Sequence, residues 1–281
     1  MTINSICVCG AGTMGSGIAQ AAAQSGFSVL LYEVNPAVLA NARAAICKNL
    51  QTLADKGKID VQEQAAVLQR IHFTGDIQAC LADVFIEAIV EKPEWKVALF
   101  NQLAELNHSE CIFASNTSSL SVTSIAEQVQ RPERVIGMHF FNPATIMRLV
   151  EVVNTSFTSQ QTTETIVHLA RQMGKTPVLC KDAPGFIVNR VARPYYIESL
   201  RLVEEGHTDF AQADRLLEAT GFRMGPFKLM DLIGNDVNYA VSCSVYAQLG
   251  DPERLRPSFI QEQKVKEGKL GKKSGEGYYT Y

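Results

Sequence analysis

The stretch Ile6-Cys-Val-Cys9-Gly10-Ala-Gly12-Thr13-Met14-Gly15-Ser16 decides the fold. A short apolar strand over residues 3–9 runs into three glycines spaced G-x-G-x-x-G, and an alanine-rich helix begins near Ser16. The first glycine permits a tight turn, the second leaves no Cβ between backbone and a pyrophosphate, and the third lets the helix close on its strand. Backbone N–H groups at that helix start then face the phosphates. Glycines at this spacing also occur by chance in loops, so the context matters. A second strand, over 27–32, ends at Glu33, where a carboxylate accepts hydrogen bonds from an adenosine ribose. No arginine adjoins Glu33, so a 2′-phosphate would meet an uncompensated carboxylate, and NAD is expected over NADP. The competing reading is a plain strand–turn–helix with a solvent-facing glutamate.

Working outward, strand and helix patterns alternate, which predicts a parallel, helix-covered sheet. Asn35-Pro36 opens a long helix to about residue 55, and a second helix over 60–69 follows the Lys56-Gly57-Lys58 turn. This pair exceeds what a crossover needs, so it is expected to project from the sheet. Further strands are predicted at 71–74, 84–89, 112–114, 135–139, 148–153 and 178–180, with helices at 93–106, 122–130 and 160–173. Beyond Asp182-Ala-Pro184-Gly185 the patterns over 187–205, 210–219, 229–249 and 257–267 are helical. The expected architecture is α/β: a Rossmann-like N-terminal domain, residues 1–184, with a helical-pair excursion, and a smaller all-helical C-terminal domain, residues 185–281.

Hydrophobic residues at 46% and charged ones at 20% describe an ordinary globular protein, and a formal charge of −3 gives no reason to expect nucleic-acid or membrane partners. An anionic small molecule is still compatible, because it needs only local positive charge. The seven cysteines form no CxxC pair and sit mostly in apolar runs, so neither a zinc site nor a disulfide framework is indicated. With no basic segment leading into an apolar one at the N-terminus, the expected location is the cytoplasm.

Three polar islands interrupt apolar strand ends: Asn116-Thr-Ser118-Ser119, His139-Phe-Phe-Asn142-Pro143, and Glu151 inside Leu149-Val-Glu-Val-Val153. Ligands of parallel sheets sit at the strands' C-terminal ends, so the first two islands should converge on the nicotinamide side. Ser118 fits either a helix cap or a reactive position, and a lone histidine such as His139 is more often a satisfied core residue. Glu151 points outward from an edge strand or, if inward, requires a partner. The spacing to His139 leaves room for a turn and a returning strand, so a His–Glu contact is easy, and it would orient the ring and favour its protonated form.

These motifs, with Pro184-Gly-Phe-Ile-Val-Asn189-Arg190 and Gly271-Lys-Lys273-Ser-Gly-Glu-Gly277, resemble the 3-hydroxyacyl-CoA dehydrogenase family, and within it the bacterial enzymes acting on 3-hydroxybutyryl-CoA and 3-hydroxyadipyl-CoA. The resemblance spans nearly the whole chain in order. It implies oxidation of an L-3-hydroxyacyl thioester by NAD and a homodimer formed through the helical domain. It implies a catalytic set of Ser118, His139, Glu151 and Asn189, with His139 as general base and Glu151 behind it. The implied cofactor contacts are Gly10, Gly12, Thr13, Met14, Gly15, Glu33, Glu91, Lys96, Ser118, Asn142 and Lys273. Coenzyme A falls to Ser118 and to Lys56 on the helical pair, where a solvated lysine is the alternative. A dehydrogenase of sugar acids or of carrier-protein-bound hydroxyacyl groups would keep the core set and change the substrate lip. A non-catalytic NAD-binding relative would bind without turnover.

Overall fold

The computed structural model describes residues 3–281, so the first two residues of the expected N-terminal domain lie outside the described residues. Contacts along the chain group into two units, Met1–Asp182 and Ala183–Tyr281.

In the first unit β1 (Ser5–Cys9), α1 (Thr13–Gln24), β2 (Ser28–Tyr32), α2 (Pro36–Asp55), α3 (Val61–Gln69) and β3 (Ile71–Thr74) form the opening half. The second half is β4 (Val84–Glu87), α4 (Pro93–Leu106), β5 (Ile112–Ser115), α5 (Val122–Ala126), β6 (Val135–Phe140), β7 (Leu149–Asn154), α6 (Gln160–Gln172) and β8 (Thr176–Lys181). Strand order is β3-β2-β1-β4-β5-β6-β7-β8, in which the first six positions carry the doubly wound dinucleotide-binding order. All pairings are parallel except β6 with β7. The link between those two strands is too short for a helical crossover, and a short return makes an antiparallel pair. One continuous core lies under the sheet, including Ile6, Val8, Ile18, Leu31, Ile86 and Val152.

Several boundaries differ from expectation for local reasons. α1 begins at Thr13, one turn earlier than read, with Gly12 in the capping position. β4 stops at Glu87 and not at residue 89, because the Glu87 side chain accepts the Ile89 N–H at 2.8 Å and turns the chain out of the ladder. The helical pair does not stand clear of the sheet along its length: Ala42, Ile46 and Leu50 of α2 and Val67 of α3 enter the main core. Asn35 and Asp60 cap these helices with their side chains.

The second unit comprises α7 (Val188–Glu204), α8 (Phe210–Ala219), α9 (Pro226–Ile233), α10 (Asn235–Gln248) and α11 (Phe259–Lys266). The single helix read over 229–249 is two helices. Gly234, at φ +104°, breaks it where a Cβ would lie 2.9 Å from the Lys273 ammonium. The core here is Tyr196, Leu200, Ala213, Phe227, Met230 and Tyr278. The closing segment docks on Asp231, whose carboxylate accepts the N–H groups of Tyr278 and Tyr279 at 2.9 and 3.0 Å. No helix among the described residues is long and apolar enough to cross a membrane.

Candidate active site

The glycine loop has the geometry of a phosphate cradle. A Cβ on Gly10 would lie 2.6 Å from the Ala88 carbonyl oxygen and one on Gly15 1.8 Å from that of Gly10, so both positions exclude side chains. A Cβ on Gly12 would meet no protein atom within 4 Å, which leaves its backbone open to a ligand. Thr13 is exposed beside it, while Met14 turns partly into the core. The Glu33 carboxylate accepts from Ala11 N–H and Asn35 N–H, each at 3.0 Å, tying the end of β2 to the loop. A cleft of about 380 Å³ opens from here, lined by Gly12, Thr13, Ser16, Asn49, Asn142 and Thr145. Its size and its row of exposed backbone N–H groups fit a dinucleotide phosphate.

Beside the loop, the ends of β4 and β5 carry a buried ionic cluster. Lys96 is 1% exposed, and its ammonium lies 2.6 Å from Glu87 and 3.0 Å from Glu91. Glu87, fully buried, also accepts from the Ser115 hydroxyl at 2.7 Å. Burial pushes the Glu87 carboxyl up, against the opposing pull of Lys96. Thr117 donates its hydroxyl to Glu91, and the Ser118 N–H donates to the same carboxylate at 3.3 Å. Lys96 is thus enclosed by two acids, and the group of this pair that reaches solvent is Glu91. Sequence reading missed Glu87 and Thr117. An acid closing the apolar run Val84-Phe-Ile-Glu87 was the available signal, the same one that drew notice to Glu151.

The loop after β5 answers the question over Ser118. The residue capping α5 is Ser121, which accepts from Ser124 N–H at 3.2 Å, while Thr117 accepts from Ser119 and Leu120. Ser118 is therefore not the helix cap. The Asn116 amide oxygen accepts the Phe140 N–H at 2.9 Å, which draws this loop to the end of β6.

At that end His139 stands directly across the antiparallel ladder from Glu151. Its Nδ1 is 2.8 Å from the Glu151 carboxylate, with side-chain exposures of 8% and 1%. Glu151 faces inward, and the partner its burial demands is the imidazole. The Phe141 ring packs 4.5 Å away, centre to centre. Asn142 is exposed on the following turn, which Lys175 braces by donating to the carbonyls of Ala144 and, at 3.0 Å, Met147.

The remaining expected residues are distributed elsewhere. Asn189 is half-buried in the first turn of α7, and Lys273 pairs with Asp236 at 2.6 Å, both in the second unit. Lys56 is exposed after α2 and makes no ion pair among the described residues. The first unit alone thus brings together the glycine loop, Glu33, Glu91, Lys96, Ser118, His139, Asn142 and Glu151. No cluster of three or more metal-ligating side chains is present among the described residues.

Residues 5–183 match the family model for the 3-hydroxyacyl-CoA dehydrogenase NAD binding domain, and residues 185–281 match that for its C-terminal domain. The chain is 44% identical along its whole length to a 3-hydroxyadipyl-CoA dehydrogenase of Escherichia coli, and spans 60% of that relative. It is 43% identical over 98% of its length to a probable 3-hydroxybutyryl-CoA dehydrogenase of Deinococcus radiodurans, of which it covers 99%. The crystal structure of an (S)-3-hydroxybutyryl-CoA dehydrogenase from Ralstonia eutropha superposes with a TM-score of 0.95 at 35% identity, covering all of this chain and 99% of that one.

Proposed function

The chain belongs to the 3-hydroxyacyl-CoA dehydrogenase family, with that family's NAD-binding domain at its N-terminus, and we propose that it oxidises an L-3-hydroxyacyl-CoA to the 3-oxoacyl-CoA. The observation that carries the reading is the buried His139–Glu151 pair on the strand next to the Ser118 loop. Oxidising a secondary alcohol removes a proton from oxygen and a hydride from carbon; NAD supplies the hydride acceptor. Nδ1 of His139 is committed to Glu151, so Nε2 takes the hydroxyl proton. Glu151 then offsets the imidazolium charge and keeps the ring in one orientation. Ser118 and Asn189 hydrogen-bond around the reacting oxygen and thioester, holding C3 at hydride distance.

The cofactor contacts divide by chemistry. Gly10, Gly12, Thr13, Met14 and Gly15 hold the pyrophosphate, and Glu33 accepts from the adenosine ribose. Glu91, Ser118 and Asn142 face the nicotinamide end; Lys96, expected to touch the cofactor directly, is instead buried between Glu87 and Glu91 and acts by holding Glu91 in place; Lys273 contributes from the second unit. Lys56 meets the coenzyme A phosphates. A homodimer forms through the C-terminal unit, whose Val191, Leu216 and Phe259 expose apolar surface. The test is NADH formation, followed by absorbance, with 3-hydroxyacyl-CoA esters beside the corresponding free acids and sugar acids. Oxidation confined to CoA esters is expected. Turnover of free or sugar acids without turnover of any CoA ester would overturn the reading.

A further inference from the structure

We propose that Lys175 is a positioning residue for the cofactor: by holding the turn between β6 and β7 it sets the shape of the dinucleotide cleft where the nicotinamide end lies. The proposal rests on the reading that places Asn142 at that end.

The turn spans residues 141–148. Four of its members, Asn142, Pro143, Ala144 and Thr145, line the cleft, and the facing wall is α1, which carries the glycine loop at its start. The two walls come close at Gly17, where an added Cβ would lie 3.3 Å from the Ala144 Cβ. A small shift of the turn therefore changes the cleft. The turn has few bonds of its own. The Ile146 and Met147 N–H groups both donate to the Pro143 carbonyl at 2.9 Å. The carbonyls of Ala144 and Met147 accept no backbone N–H among the described residues. Both accept instead from the Lys175 ammonium, Met147 at 3.0 Å.

Packing does not call for a lysine at this position. Lys175 is 9% exposed, and burial alone pulls its pKa down, with no carboxylate to offset the charge. Lys96, by contrast, meets two acids. A buried ammonium without an acid costs more than an apolar side chain of the same reach, so the gain from Lys175 lies in what its donors hold. Nor does it cap α6, whose end it follows. The N–H groups of Met173, Gly174 and Lys175 donate to the carbonyls of Leu169, Arg171 and Ala170, each at 2.9 Å, and Gly174 takes φ +68°, the left-handed conformation that closes helix ends. The main chain thus satisfies the helix end and leaves the ammonium for the turn.

The base of the side chain is fixed. Thr176 opens β8 opposite Leu149, and its N–H donates to the Arg148 carbonyl at 2.8 Å. Lys175 therefore reaches from an ordered strand start onto the middle of the turn. Removing the ammonium leaves two carbonyls without their donor, and the turn shifts to recover partners, carrying Asn142 with it. Glu33 is tied separately, to the N–H groups of Ala11 and Asn35, so the adenosine end stays in place.

The experiment titrates NADH, by fluorescence, and AMP, by displacement of NADH, against the full chain and Lys175→Met. NADH occupies both ends of the site and AMP the adenosine end alone, which separates a local shift from a general loss. The variant should weaken NADH by about five- to tenfold, the scale of one or two misplaced hydrogen bonds, and leave AMP within about twofold. Amide hydrogen exchange should quicken at Ile146 and Met147 and stay unchanged at the glycine loop. Unchanged NADH affinity would overturn the proposal, and equal weakening of NADH and AMP would reassign Lys175 to general stability. Should Lys175→Met not fold, Lys175→Arg carries the test. Its planar head keeps the charge but matches the two carbonyls poorly, so the preference for NADH over AMP should fall by about two- to threefold, and an unchanged preference would overturn the proposal. Asn142→Ala binding NADH as tightly as the unaltered chain would remove the reading beneath it, an outcome distinct from either result at Lys175.

Discussion

Two buried glutamates in the first unit invite comparison. Glu87 and Glu151 both sit on strands, both are sealed from solvent, and each holds one cationic or potentially cationic partner. Glu87 holds Lys96, shares it with Glu91, and takes a further hydrogen bond from Ser115 and another from the Ile89 N–H. Every participant there is bonded, so the cluster ties the β4 and β5 ends together. Glu151 instead faces a single imidazole, Nδ1 of His139 at 2.8 Å. Similar burial therefore encloses a lysine between two acids in one case and sets a glutamate against a histidine in the other, and the partner makes the difference.

The sharpest way to break this comparison is at the imidazole. His139→Gln should lower kcat by about 10²-fold or more, the usual contribution of a general base. NADH affinity, measured by fluorescence titration, should hold. Glu151→Gln should also slow turnover strongly at unchanged NADH affinity, because a neutral amide no longer offsets the imidazolium. If His139→Gln turned over at the normal rate, the histidine side of the contrast would be gone.

A smaller effect of another kind is expected at Glu87. Glu87→Gln leaves Lys96 with Glu91 alone, and should cost about 2 kcal/mol of stability, as losing one partner of a buried charged hydrogen bond does. That is seen as a lower urea midpoint, with kcat at saturating NAD within about threefold, roughly 0.7 kcal/mol. A large loss of kcat at unchanged stability would move Glu87 into the chemistry.

The smallest effect concerns Lys56, which has exposure instead of burial. An exposed contact to a coenzyme A phosphate binds ground and transition states alike, so Lys56→Ala should raise KM by about two- to fivefold and leave kcat nearly alone. Added salt should shift KM in the same sense. The mutation should have no such effect on a truncated pantetheine ester, which lacks the nucleotide phosphates. Equal effects on both esters would remove the phosphate contact.

How much of this was legible before folding depends on how far apart the partners lie in the chain. The glycine loop, Glu33 and the strand–helix alternation of a Rossmann-like domain were readable because turn chemistry and strand–helix alternation are local. The His139–Glu151 pair was readable too, since a short return between two strands leaves few registers, and the observed register places them opposite each other. Glu87 was not read because its strand was expected to run on to residue 89, and only the side chain's own bond to Ile89 N–H shows the chain leaving the sheet. The break at Gly234 was missed because a glycine inside a helical pattern is tolerated, and the Lys273 side chain beside it comes from a distant part of the chain.

By itself, then, the sequence determined the element types, the glycine cradle, and which polar residues sit at strand ends, because periodicity and spacing specify local backbone. Only the tertiary structure decided who each buried charge meets. Lys96 meets two acids, His139 meets one, and Asp231 takes backbone donors from the closing segment. The physical reason is that the cost of burying a charge depends on its complete surroundings, which are assembled from strands and helices remote in sequence. Which partner such a group finds follows from those surroundings and cannot be read from residue type.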